Sequence, residues 1–233
     1  TLAGFLVCID RLYRAHALGV DVAGRAQVAY VSPLKALAVD IAENLDRPLR
    51  EIADVAAELG YDAPDLRVAV RTGDTTSSER ASMVRRPPNF VITTPESLYL
   101  LVTAQRSRDM LRTVDTVIVD EIHAMARDKR GSHLALTLER LEHATAARPQ
   151  RIGLSATQRP IELVADMLCG TGAPEPCAVV DTGHRRALDL ALELPQGELE
   201  AVVSAEQMGD VVDRIAALVG EHHTTIVFVN TRR

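Results

Sequence analysis

The sequence predicts an α/β fold with a doubly wound, mostly parallel sheet. Short Val- and Ile-rich runs at residues 27–31, 66–70, 90–93, 116–120 and 151–154 alternate with segments whose apolar residues recur at helical spacing. The runs are nearly continuous in apolar character, as suits strands covered on both faces. Their spacing suits right-handed helical crossovers, and each run closes on a small polar cluster.

Taken in order, residues 1–18 carry Leu2, Phe5, Leu6, Ile9 and Leu12 at helical spacing, with no strand or cap before them. This suggests a fragment that begins inside a structural element. After the first strand, Ser32-Pro33 breaks the chain before a helix holding Lys35, Leu37, Val39 and Ile41. A second helix is expected where Ile52, Val55, Ala56 and Leu59 fall at i, i+3, i+4, i+7 and Gly60 stops the turn. Thr94 can cap a helix whose first turn accepts Pro95. Arg80, Arg85 and Arg86 read as a solvated basic loop before Pro87-Pro88. Helices are expected at 132–143 and 161–168, the latter stopped by Gly170.

Residues 170–176, Gly-Thr-Gly-Ala-Pro-Glu-Pro, form the clearest punctuation of the chain. Beyond them the pattern predicts a strand at 178–181, a basic turn at 183–186, an alternating stretch at 188–194, a helix at 205–219 and a strand at 225–229.

Composition narrows the function. Hydrophobic residues make up 47% and charged residues 25%, the proportions of a globular protein, and no apolar run approaches the roughly 20 residues of a membrane helix. Cys8, Cys169 and Cys177 form no C-x-x-C pair, which indicates neither a zinc ribbon nor a disulfide framework and makes a cytoplasmic setting the default. A net charge of −6 argues against one broad basic face for nucleic acid, although a narrow track built from backbone N–H groups and hydroxyls remains open. Aromatics at 3%, without Trp, argue against extensive base stacking.

The polar clusters carry the chemistry. In open parallel sheets ligands gather where chains leave the carboxyl ends of the strands. Asp120-Glu121-Ile122-His123 stands at such an end, after Val117-Ile118-Val119. An Asp there can hold a hydrated Mg²⁺ and the adjacent Glu can orient a water, the two tasks nucleotide hydrolysis asks of carboxylates. A pair of acids taken alone reads rather as a solvated strand terminus. A transition-metal hydrolase is disfavoured, because the chain has no H-E-x-x-H.

The clusters nevertheless stand in a fixed order: Pro33-Leu34-Lys35-Ala36-Leu37, Thr72-Gly73-Asp74, Thr94-Pro95-Glu96-Ser97, Asp120-Glu121-Ile122-His123, Ser155-Ala156-Thr157 and the stretch 226–232. This series resembles the motifs of superfamily 2 DEAD/DEAH-like helicases. Val31-Ser32-Pro33-Leu34-Lys35-Ala36-Leu37-Ala38, Thr93-Thr94-Pro95-Glu96-Ser97-Leu98 and Gly183-His184-Arg185-Arg186 look most like the large helicase-related (Lhr) family.

The resemblance implies a RecA-like P-loop NTPase fold. Residues 1–183 would form the ATP-binding domain, without its first strand and most of its phosphate loop, and residues 184–233 a linker and the start of a second RecA-like domain. It implies ATP and Mg²⁺ as cofactors. Thr1 would be the phosphate-loop threonine on Mg²⁺ and Asp120 a second Mg²⁺ ligand through water, while Glu121 would orient the attacking water. His123 would link the nucleotide site by hydrogen bond to Ser155-Ala156-Thr157, whose Ser155 and Thr157 count with it among the catalytic residues. Pro33, Lys35, Thr72, Gly73, Asp74, Thr94, Glu96, Asn230, Thr231 and Arg232 would line a single-stranded nucleic-acid track. The implied activity is ATP-driven 3′-to-5′ movement on single-stranded DNA with unwinding of duplex DNA or RNA:DNA hybrids, in DNA repair. The phosphate-loop lysine and the arginines facing the γ-phosphate are absent from these 233 residues, so the isolated piece is expected to be inactive. A Ski2-like RNA helicase, or a silent nucleic-acid-binding scaffold in the case of the isolated piece, are the competing readings.

Overall fold

A computed structural model describes residues 1–156, 159–172, 176–181, 189–194 and 204–229. The chain forms two compact units, Thr1–Val180 and Asp181–Arg233.

The first unit is built on five parallel strands, β1 (Val28–Val31), β2 (Val68–Arg71), β3 (Phe90–Thr93), β4 (Thr116–Val119) and β5 (Gln150–Gly153), in the order β2-β3-β1-β4-β5. Val31 pairs with Thr93 and Val119, Arg71 with Thr93, and Val119 with Gly153, so all five strands end at one level. The pleat divides the central strand cleanly. Val28 and Tyr30 join Phe90, Ile92 and Ile118 on one face, under Phe5, Ile9 and Leu12 of helix α1 (Leu2–Ala17) and Leu45 and Leu49 of α2 (Lys35–Glu58). Ala29 and Val31 join Val91, Val117 and Val119 on the other. There they meet Met83 of α3 (Ser77–Arg85), Leu98 and Leu101 of α4 (Pro95–Thr103), Leu134, Leu138 and Leu141 of α6 (Lys129–Ala144) and Leu168 of α7 (Ile161–Cys169). A short helix α5 (Gln105–Met110) and a 3₁₀ turn (Leu111–Thr113) lead into β4. The chain leaves β1 toward the face of α1 and α2, and leaves the neighbouring β4 toward the opposite face. A crevice opens between two strands whose connections part in this way.

Several expectations are corrected. The two helices expected between 35 and 59 are one, α2, with Pro48 inside it. Its buried stripe of Ala38, Leu45, Leu49 and Ala56, flanked by the partly buried Ile41 and Ile52, runs unbroken past the proline. Packing of that stripe outweighs one lost backbone bond, whereas Val55 and Leu59 of the expected face lie exposed. The basic stretch from Arg80 is helical: Thr76 accepts from the Glu79 N–H while Glu79 reaches back to the Thr76 N–H, a capping box. Residues 178–181 and 225–229 belong to no strand in the structure, since none of the described residues pairs with them and strands are defined by their ladder.

In the second unit, Ser204 caps α8 (Ala205–Glu221) with Gln207 completing a capping box, and Arg214 pairs with Glu193. Among the described residues no helix is long and apolar enough to cross a membrane.

Gly131 lies in the first turn of α6, where a Cβ would stand 2.2 Å from the Met125 carbonyl oxygen. Because that neighbour is backbone and cannot yield cheaply, Gly131→Ala is expected to cost about 1–3 kcal/mol. A urea midpoint equal to that of the unsubstituted protein would contradict this.

Candidate functional site

The polar clusters at the carboxyl ends of the strands converge on one edge of the sheet. Asp120 leaves β4 with its N–H bonded to the Val31 carbonyl of β1 at 2.9 Å. It is only 6% exposed, and a buried carboxylate needs donors. Tyr30 supplies one: its hydroxyl donates to Asp120 Oδ2 across the β1–β4 crevice. The Glu121 N–H donates to Oδ1 at 3.0 Å. Burial, and then the bond to Asp120 and its charge, push the Tyr30 hydroxyl well above its ordinary pKa, so it stays a donor. Thr1 acts on the same hydroxyl in the opposite sense, lowering its pKa, which places the start of α1 beside Asp120. The Phe5 ring stacks on Tyr30 at 5.1 Å and holds it in place.

Glu121 has φ of 46°, a left-handed conformation that a residue with a Cβ rarely adopts. The turn redirects the chain into a 3₁₀ segment (Ile122–Ala124), anchored by the buried Ile122 side chain and by its N–H on the Leu154 carbonyl. His123 is thereby delivered to the loop after β5. Its Nδ1 accepts the Ala156 N–H at 3.2 Å and lies 3.3 Å from Ser155 Oγ. An N–H can only donate, so Nδ1 carries no proton and the neutral ring holds its hydrogen on Nε2. Nε2 stands 3.2 Å from Glu121 Oε2 and donates to it. One imidazole thus ties the carboxylate after β4 to the backbone after β5.

The remaining clusters form a second stretch of the same edge. Lys35 Nζ pairs with Asp74 Oδ1 at 2.7 Å, joining the loop after β1 to the loop after β2. Gly73 lies so close to the lysine that a Cβ there would stand 3.3 Å from Nζ. Thr72 accepts the Asp74 N–H through Oγ1, and its own N–H is held by Thr75. Thr94 caps α4 by accepting from Ser97 N–H, and Pro95 occupies the first turn as expected. Glu96 pairs with Arg130 at 2.7 Å, and Arg130 also donates to the Pro33 carbonyl at 2.9 Å. One guanidinium therefore braces the loops after β1 and β3 from α6. Thr157, Asn230, Thr231 and Arg232 lie outside the described residues.

Two contributors were missed in the sequence. Tyr30 is hidden in an apolar strand, where its ring is read as core, and Arg130 gives no periodic signal before the fold places it. No group of three or more His, Cys, Asp or Glu side chains among the described residues has the arrangement of a metal cluster. An oxygen-rich pair such as Thr1 and Asp120 suits only a hard cation that keeps much of its water.

A family model described as DEAD/DEAH box helicase matches residues 1–164. The Lhr helicase/probable uracil glycosylase of Mycolicibacterium smegmatis is 46% identical over all of this chain, which covers 15% of that protein. The ATP-dependent helicase Lhr-Core protein 2 of Thermococcus barophilus is 44% identical over all of this chain, which covers 27% of it. The chain therefore spans about a quarter or less of the length of these curated relatives. A solved structure of Mycobacterium smegmatis helicase Lhr bound to ssDNA and AMP-PNP superposes with a TM-score of 0.71 at 46% identity, covering 89% of this chain and 26% of that one.

Burial acts to raise the Glu96 pKa, but the bonds from Arg130, the α4 backbone and Thr94 outweigh it and hold the carboxyl below its ordinary 4.5. A depressed acid stabilises the fold above its unfolded value and loses that contribution as pH falls through the folded one. The stability difference between the protein and Glu96→Gln is therefore expected to be constant above about pH 5 and to shrink below it. Denaturant midpoints across pH 3–7 measure this, and a pH-independent difference would contradict it.

Proposed function

The chain belongs to the DEAD/DEAH box helicase family and has its RecA-like fold, and from that premise we propose that it forms the first motor domain of an ATP-dependent translocase acting on single-stranded DNA. The observation that carries the proposal is the Tyr30–Asp120 contact across the β1–β4 crevice, with Glu121 and His123 linked beside it.

Thr1 and Asp120 fit Mg²⁺. Both present oxygen, and Asp120 receives one hydrogen bond on each oxygen, which leaves lone pairs for the water of a hydrated cation. Mg²⁺ bound with ATP supplies neutralisation of charge on the phosphate oxygens. The protein's own part is positioning. Tyr30 and the Glu121 N–H hold Asp120 in one orientation, and the left-handed turn at Glu121 sets its carboxylate beyond the strand end. Glu121 keeps Oε1 for a water, which it orients and whose proton it accepts, while Oε2 takes the His123 hydrogen. Through His123 the state of that carboxylate reaches Ser155 and Ala156.

Pro33, Lys35, Thr72, Gly73, Asp74, Thr94 and Glu96 are proposed to face the nucleic-acid backbone. They share one edge, present hydroxyls, backbone groups and one lysine, and suit a protein of net charge −6. The Lhr structure bound to ssDNA and AMP-PNP supports both ligands. Movement in the 3′-to-5′ direction, unwinding of duplexes or RNA:DNA hybrids, and work in DNA repair follow from the likeness to Lhr proteins. The unit at Asp181–Arg233 is proposed as the linker and opening of the second RecA-like domain.

In the intact protein, Glu121→Gln is expected to keep nucleotide binding and to lower ATP turnover by at least about a hundredfold. Undiminished turnover would sink the assignment. Lys35→Ala is expected to weaken binding to single strands of every sequence and to reduce the slope of log affinity against log salt by about one. An unchanged slope would remove Lys35 from the track.

A further inference from the structure

Beneath the outer edge of the sheet, α3, α4 and α5 line an open cavity of about 540 Å³ whose charges are all of one sign. Arg71, the last residue of β2, is 6% exposed and lines it. Arg80 of α3 and Arg106 of α5 line it too, and no carboxylate does. The rest of the wall is largely apolar, with Met83, Leu100 and Leu101.

None of these three arginines makes an ion pair with a described residue. Arg71 donates only to the Thr72 carbonyl. Arg80 donates to the Gly73 carbonyl at 3.0 Å, but its Nε is buried without a partner. Elsewhere in this unit Arg151 also has a buried Nε without a partner, but its two terminal nitrogens pair with Glu139 and Glu142, whereas Arg71 and Arg80 have no such acid. Two guanidiniums close together in an apolar wall repel one another and lose hydration. Burial, and then the neighbouring Arg80 charge, push the Arg71 pKa down. An anion with several acceptor oxygens meets every one of these needs, because guanidinium forks match oxyanion geometry.

We propose that this cavity is a binding site for a phosphate-type oxyanion, held by Arg71, Arg80 and Arg106. The site is separate from Asp120 and Glu121 and does not rest on the proposed function. It touches the nucleic-acid edge at one place: Arg71 and Arg80 donate to the carbonyls of Thr72 and Gly73, so an oxyanion here stiffens that loop. The oxyanion is either a backbone phosphate of a bound strand or a free anion.

Inorganic phosphate titrated into the intact protein by calorimetry tests the site. The unsubstituted protein is expected to bind it saturably, and Arg80→Gln and Arg106→Gln each to weaken it about tenfold. Arg106 is exposed and pairs with no described residue, so its replacement leaves the fold intact even if that of Arg80 does not. Equal affinity in the unsubstituted protein and Arg106→Gln, or no binding to the unsubstituted protein, overturns the proposal. A single-stranded oligonucleotide distinguishes the sources. Weakening of both ligands in Arg106→Gln identifies a backbone phosphate, and weakening of phosphate alone identifies a free oxyanion.

Discussion

In-register parallel pairing of Val31, Thr93, Val119 and Gly153 brings four loop origins to one level, with Arg71 of β2 completing the row. Everything chemical in the first unit depends on that register. A slip of one residue would turn Tyr30 from the α1 and α2 face toward the other and part its hydroxyl from Asp120. The register is secured by burial rather than by polar contacts: β1, β3 and β4 are buried at every position, and their alternate side chains feed two separate cores. A rigid sheet edge carrying loops of unlike chemistry is what lets one side of a small domain hold both a carboxylate pair and the proposed nucleic-acid track.

On that platform the site is a chain of short contacts rather than a deep cavity. Thr1, Tyr30 and Asp120 form one end, Glu121 the middle, and His123 with the loop after β5 the other. Its middle residue is strained, with a left-handed backbone at a glutamate. Beside it, the pairs Lys35–Asp74 and Glu96–Arg130 staple loops from different strands. Asp74 occupies Lys35, so on the proposed track a backbone phosphate would exchange one ion pair for another, an exchange that salt tunes.

Much of this was legible in the residues. The Val and Ile runs marked all five strands, and the polar cluster after each marked a loop that the structure brings to one edge of the sheet. Helix boundaries were harder. The apolar spacing at Ile52 to Leu59 read as a separate helix, whereas the stripe from Ala38 to Ala56 that makes α2 continuous is seen only against the sheet. The capping box Thr76-Ser77-Ser78-Glu79 was present as a signal, yet the arginines after it drew attention to charge instead of to the helix. Tyr30 and Arg130 were invisible for a different reason. Each acts across elements distant in sequence, and nothing local to either residue marks the partner that tertiary structure supplies.

One sheet edge is proposed to hydrolyse ATP and to sense a nucleic-acid strand. The most direct measurement is the steady-state rate of ATP hydrolysis by the intact protein with and without single-stranded DNA. A rate that rises with DNA and saturates is predicted, since both ligands bear on loops fixed to the same five strand ends. Hydrolysis at the same rate with and without DNA, or none in either case, would contradict the account.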